Sequence, residues 1–82
     1  MKYKIEFKPR AMKDCKKIRT SQLKKNFDQI EAMAFDLRGN VKHLTNFTPE
    51  YRLRVGNYRI LFEIDEDKII IYRIRHRKDA YK

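Results

Sequence analysis

The sequence predicts an α+β domain of order β-α-α-β-β-β, in which a helical hairpin packs on one face of a small, mainly antiparallel sheet. Three observations predict it. Residues 51–82 hold three short apolar runs that alternate at period two, separated by Gly56-Asn57 and by Asp65-Glu66-Asp67-Lys68. Alternation of β-branched and aromatic residues marks half-buried strands, and a two-residue Gly-Asn turn suits a hairpin. Ahead of them, residues 23–37 repeat apolar side chains every three or four positions, the period of an amphipathic helix.

Taken in order, Tyr3, Ile5 and Phe7 point one way and Lys2, Lys4, Glu6 and Lys8 the other, which describes a first strand with one buried face. Pro9 breaks it and suits the first turn of a helix, where its missing N–H costs nothing. Ala11, Met12, Cys15 and Ile18 give that short helix its apolar stripe. Thr20 and Ser21 are good caps for a second helix, whose stripe is Leu23, Phe27, Ile30, Ala34 and Leu37 and whose end is expected at Gly39-Asn40. Two helices joined by about two residues form a hairpin that covers a sheet. Residues 41–50 read as irregular, anchored by Val41, Leu44 and Phe47, with Pro49 against a helix.

The chain of 82 residues is expected to be a single domain spanning 1–82, near the lower size limit for a self-sufficient core. Twenty-one Lys and Arg against eleven Asp and Glu leave a net charge of +10, which points to a polyanion or an acidic protein as partner. The excess is distributed: residues 1–50 carry twelve basic and six acidic side chains, residues 51–82 nine and five, so a disordered basic arm is the wrong picture. Cys15 has no partner for an internal disulfide, and it falls on an apolar helical stripe, so packing is its expected role. One cysteine and two dispersed histidines make no metal site, and no cofactor is expected. Without a signal-like apolar segment or a run near ~20 apolar residues, no membrane association and a cytoplasmic location are expected.

The cations recur between the apolar strand positions. Tyr51, Leu53 and Val55 share one face, which leaves Arg52 and Arg54 on the other. Tyr58, Ile60, Phe62 and Ile64 point inward, with Arg59, Leu61 and Glu63 outward. In the last run Ile70, Tyr72 and Ile74 share one face, and Ile69, Ile71, Arg73 and Arg75 the other. Arg52, Arg54 and Arg59 are thus expected to converge on an open concave face, joined by the tail from His76 to Tyr81. Simple solvation of a polar sheet face is the competing reading. Arginine at nearly every such position favours bidentate phosphate contacts instead.

The pattern YRLRVGNYRILFEI…KIIIYRIRHRKDAY, with Lys42-His43-Leu44 ahead of it, resembles the RelE group of the RelE/ParE toxin superfamily over the whole chain, most strongly from Tyr51 to Tyr81. The resemblance implies ribosome-dependent cleavage of mRNA in the ribosomal A site. A 2′-hydroxyl attacks the adjacent phosphate, leaving a 2′,3′-cyclic phosphate and a 5′-hydroxyl. It also implies a RelB-like acidic antitoxin, with the 70S ribosome and mRNA as further partners and operator DNA reached only through the antitoxin complex. By motif, Arg54, Arg59, Arg77 and Tyr81 are the candidate catalytic residues, and Lys42, Arg52, His76 and Lys78 the candidate RNA contacts. Some members have lysine where Arg52 and Arg54 stand, which argues against a lysine proton acceptor here.

Arginine stays protonated near neutrality, so Arg54, Arg59 and Arg77 suit charge stabilisation of the phosphate. Tyr81 can stack on a base and, in a cationic pocket, is a candidate proton acceptor; His76 is the nearby side chain that titrates close to neutral pH. Two other readings stay open: a ParE-like DNA gyrase inhibitor, and a non-enzymatic nucleic-acid-binding subunit of a repressor complex. The Arg77–Tyr81 segment favours the nuclease. The long apolar stripe of the second helix argues against a free DNA-recognition helix.

Overall fold

Three isoleucines near the C-terminus, Ile69, Ile71 and Ile74, all have to be buried although they do not share one alternation. How the chain manages this organises the sheet. The computed structural model describes residues 1–80. Seven elements follow in order: β1 (Lys4–Phe7), α1 (Pro9–Cys15), α2 (Thr20–Met33), β2 (Asn40–His43), β3 (Tyr51–Val55), β4 (Tyr58–Asp65) and β5 (Lys68–His76). They build one five-stranded sheet of order β1-β5-β4-β3-β2. β1 runs parallel to β5, and every other neighbouring pair is antiparallel. Helix α1 lies against β5 and α2 against β3. Between helices and sheet sits the core of Ala11, Ile30, Met33, Leu53, Ile60, Phe62, Ile69, Ile71 and Ile74. Among the described residues no helix is long and apolar enough to cross a membrane.

The α+β class and helical cover agree with expectation, and three local features differ. Residues 40–43 form an edge strand where an irregular segment was expected. NVKH carries one apolar side chain, Val41, so no alternation betrays it; pairing with β3 in the register Val41↔Leu53 supplies the strand. Helix α2 ends at Met33, well short of Gly39. There the N-terminal residues reach across, Tyr3 N–H donating to Ala34 O at 2.7 Å and Asp36 N–H to Met1 O at 2.9 Å, while Asp36 and Leu37 take left-handed φ of 56° and 57°. The same crossing pairs the Met1 ammonium with Asp36. Arg19, without a side-chain cap, precedes α2, so Thr20 is helical rather than capping. The buried side of α2 is Asn26, Ile30 and Met33, rotated from the expected stripe, and Phe27 stays 40% exposed.

The third difference is a β-bulge. Phe62 pairs with Ile71 but Leu61 with Arg73, leaving Tyr72 as the extra residue. The bulge switches the parity of β5. Ile69 and Ile71 before it and Ile74 after it all enter the core, so Ile69 and Ile71 do not share a face with Arg73 and Arg75 as strict alternation requires.

Beside the bulge, β5 outruns its neighbour. β1 ends at Phe7, and the last contact along that edge is Lys8 N–H to Ile71 O at 2.8 Å. The Asp14 carboxylate of α1 takes over from there. It accepts from Ile74 N–H at 3.0 Å and from Arg73 through Nε at 2.9 Å and Nη2 at 3.0 Å. The side chains are only 11% and 23% exposed, so this is a shielded bidentate pair. Burial alone pushes the Asp14 carboxyl up. The Arg73 hydrogen bond, the Ile74 amide and the charges of Arg73 and Arg75 outweigh it and hold the group below its ordinary 3.8.

A lowered carboxyl stabilises the fold at pH values above its unfolded-state value and loses that contribution as pH falls through the folded one. Asp14→Ala should therefore cost about 2 kcal/mol in urea unfolding at neutral pH, from two charge-assisted hydrogen bonds and one strand-edge amide left unpaired. The gap between wild type and Asp14→Asn should narrow as the pH is taken below 3.8. A gap that stays constant into acid would show that the carboxylate charge carries none of the stability.

Candidate nucleic-acid interface

The hairpin between β3 and β4 turns at Gly56-Asn57, with Gly56 at φ 55°, a left-handed value that glycine adopts without a Cβ clash. This short turn sets a register in which Arg54 faces Arg59. The next ladder places Arg59 opposite Arg75. Directly opposed residues of an antiparallel pair share a face about 5 Å apart. Arg54, Arg59 and Arg75 therefore form one cationic row across β3, β4 and β5, on the side of the sheet away from the helices. A second row runs Lys42, Arg52, Leu61 and Arg73 across four strands.

Local hydrogen bonds hold two of these arginines. Arg52 Nη1 donates to Asn40 O at 2.8 Å and to Asn40 Oδ1 at 3.2 Å. Arg59 Nη1 donates to the hairpin carbonyls of Gly56 and Tyr58 at 2.9 and 3.0 Å. Arg54 and Lys42 stand exposed beside them. Together with Leu44, Thr45 and Phe47 these four cations line an open cavity of about 560 Å³, with no carboxylate among its described lining residues. Such a site matches a phosphodiester in charge and in donor geometry.

The outer face is less open than expected. Residues 44–50 fold over it as a closed loop, with Leu44 N–H to Glu50 O at 2.6 Å and Glu50 N–H to Glu63 Oε1 at 2.8 Å. Phe47 lies over the sheet, and Leu61, though outward, is only 3% exposed. On the far side of Phe47 is a second cavity of about 430 Å³, floored by Leu61 and bordered by Arg75 and Ala80.

The candidate residues thus divide. Lys42, Arg52, Arg54 and Arg59 come together. Arg77 and Lys78 are exposed on the tail and do not line this cavity; Arg77 N–H donates to Asn57 O at 2.7 Å, which ties the tail to the hairpin turn. Tyr81 lies outside the described residues. His76 does not join the arginine surface. It pairs with Tyr58, ring centroids 5.7 Å apart, on the helix-facing side near Lys17, and its Nδ1 accepts from Lys78 N–H at 3.3 Å. The bulge is the reason, since it fixes which residues of β5 face outward. Arg75 is the residue that sequence reasoning left out of the site. Its signal was present in the Arg73-Ile74-Arg75 alternation, but only the register shows that Asp14 engages Arg73 while Arg75 extends the row.

Comparisons with known proteins agree with this architecture. The profile of the family described as the ParE toxin of type II toxin–antitoxin systems (parDE) matches residues 5–81. The putative toxin RelE1 of Methanocaldococcus jannaschii is 33% identical over 88 residues, covering 100% of this chain and 98% of that protein. Toxin RelE3 of the same organism is 46% identical over 46 residues, which is 56% of this chain and about half, 52%, of RelE3. Among solved structures, a chain of the RelB–RelE antitoxin–toxin complex from Methanococcus jannaschii superimposes with a TM-score of 0.77 at 32% identity, over 93% of this chain and 94% of that one. A chain of the RelE–RelB complex from Pyrococcus horikoshii OT3 shares the fold at a TM-score of 0.77 and 17% identity, over 98% and 100%. The fold is that of a small toxin of a toxin–antitoxin system. The chain belongs to the RelE/ParE superfamily and is a RelE-type toxin.

Like charges directly opposed on a sheet destabilise it, and an anion bound between them removes that repulsion. Arg54→Ala should therefore unfold within about 0.5 kcal/mol of wild type or above it, unlike a core truncation. Inorganic phosphate should raise the wild-type melting temperature more than that of Arg54→Ala, in matched thermal melts. Equal shifts in the two proteins would mean that the cavity holds no phosphate.

Proposed function

We propose that this toxin is a ribosome-dependent mRNA endonuclease that cuts mRNA in the ribosomal A site and thereby stops translation. The observation that carries the proposal is the cavity of Lys42, Arg52, Arg54 and Arg59 on a RelE-type sheet, with no carboxylate among its described lining residues. In the reaction the substrate's own 2′-oxygen bonds to the adjacent phosphorus and the bond to the 5′-oxygen breaks. The 2′-proton leaves to a base, and the departing 5′-oxygen takes one up. The products are a 2′,3′-cyclic phosphate and a 5′-hydroxyl.

Arg54 and Arg59 are assigned to the non-bridging oxygens, where charge grows in the transition state. Lys42 and Arg52 bind the neighbouring backbone. Arg77 and Tyr81 are assigned by motif, Arg77 as a further phosphate ligand and Tyr81 as stacking platform and proton acceptor; Lys78 adds backbone charge on the tail. His76, turned toward Tyr58, has no assigned role in this cavity. None of the described lining side chains is a proton acceptor suited to neutral pH, so chemistry on free RNA is expected to be slow. A ribosome that holds the message in line supplies the missing orientation.

A +10 toxin calls for a cognate acidic antitoxin, and the RelB–RelE complexes among its structural relatives support one. Operator DNA is then reached through that complex, and the work is done in the cytoplasm, where messages are translated.

Primer extension on an mRNA in a purified translation system tests the proposal. Cuts at A-site codons should require ribosomes. Arg54→Ala should lower their rate by roughly 10²-fold, the usual effect of removing one transition-state donor, and Arg77→Ala and Tyr81→Phe should weaken them too. The family profile also carries the ParE name, so gyrase supercoiling is assayed in parallel. An intact message together with inhibited gyrase would replace the nuclease reading with the ParE-like one.

A further inference from the structure

The cavity on the far side of Phe47 has no part in the chemistry above, yet it is built of the same materials. It is bordered by Lys8 and Arg10 at the start of α1 and by Arg75 of β5, with Phe47 and Tyr72 as aromatic walls over a Leu61 floor. Lys8 Nζ stands 5.4 Å from the Tyr72 ring centroid. Arg73 also borders this space, but Asp14 engages its guanidinium. Lys8, Arg10 and Arg75 therefore supply the available charge. Phe47 lines both cavities, and the Arg59–Arg75 cross-strand pair joins their floors.

We infer that this second cavity is a subsite for the nucleotide flanking the cleaved phosphodiester, with Arg75 on the next backbone phosphate and Phe47 against a base. The inference rests on the RNA reading above and extends it to residues outside the reacting centre. Two phosphate sites separated by one aromatic side chain are the arrangement a single-stranded nucleic acid requires, because charge tracks its backbone while rings stack its bases. Phosphate contacts carry affinity and stacking is tolerant of sequence, so the subsite lengthens the footprint on RNA without choosing a codon.

The test titrates the full-length protein, at low ionic strength, into fluorescein-labelled 2′-O-methyl RNA, which cannot be cleaved. A dinucleotide with a single phosphodiester is compared with a pentanucleotide. Wild type should bind the pentanucleotide more tightly. Arg75→Ala and Phe47→Ala should each remove roughly tenfold of that gain, a clearly larger loss than either causes on the dinucleotide. Arg75→Ala should also reduce the slope of log affinity against log salt by about 0.7, the loss of one single-strand phosphate contact, and Arg75→Lys should restore the slope. Arg54→Ala should weaken both ligands. If Arg75→Ala keeps wild-type affinity and slope for the pentanucleotide while Arg54→Ala loses affinity, the second subsite is overturned and the RNA reading stands. If Arg54→Ala also binds both ligands as wild type does, the cavity is not an RNA site and both readings fall.

Discussion

The Asp14 carboxylate is the contact on which the far end of the sheet depends. It receives the Ile74 amide and both inner nitrogens of the Arg73 guanidinium. The Ile74 amide sits where the strand edge would otherwise be unpaired, because β1 stops at Phe7 and β5 continues to His76. An open edge invites solvent or another chain. Here a helix closes it, and one acidic side chain does the joining. The same contact fixes the length of β5 that lies beyond the Tyr72 bulge, and with it the direction of every later side chain.

The bulge and the carboxylate together sort the arginines of β5. Strict alternation would send Ile74 outward and break the core, since Ile60 needs it as a cross-strand partner. Inserting Tyr72 satisfies the core and leaves Arg73 and Arg75 outward. Asp14 then turns one of the two into structure. Arg73 spends its donors inside the fold, and Arg75 extends a row that begins at Arg54. Two arginines separated by one residue thus have different fates, decided by a partner 59 positions away in sequence.

The cationic face is expensive to build and is held on rigid elements. Its arginines stand on adjacent strands rather than on mobile loops, and Arg59 and Arg52 are steadied by backbone carbonyls. Glu63 accepts from the Glu50 amide of the covering loop, and the Glu50 carboxylate stands 3.6 Å from His43 Nε2, both outside the cavity lining. Such an arrangement favours a polyanion over a single carboxylate, whose charge could not satisfy both rows.

Much of this was legible in the amino-acid order alone. The α+β class, the Pro9 helix start, the Gly56-Asn57 hairpin and the outward placement of Arg52, Arg54 and Arg59 all follow from local periodicity and turn chemistry, which act over a few residues. Strand β2 was not legible because its pairing partner, rather than its composition, makes it a strand. The end of α2 was not legible because Tyr3 and Met1 cap it from the other end of the chain. The places of His76 and Arg75 were not legible for a related reason: a bulge is the answer to a packing demand set by Ile60, Phe62 and the helices, and no window on β5 contains that demand. Sequence by itself determined which side chains could carry charge and which segments could alternate. Tertiary structure decided which of those charges meet, because register and parity are settled only when distant apolar faces have to close on one core.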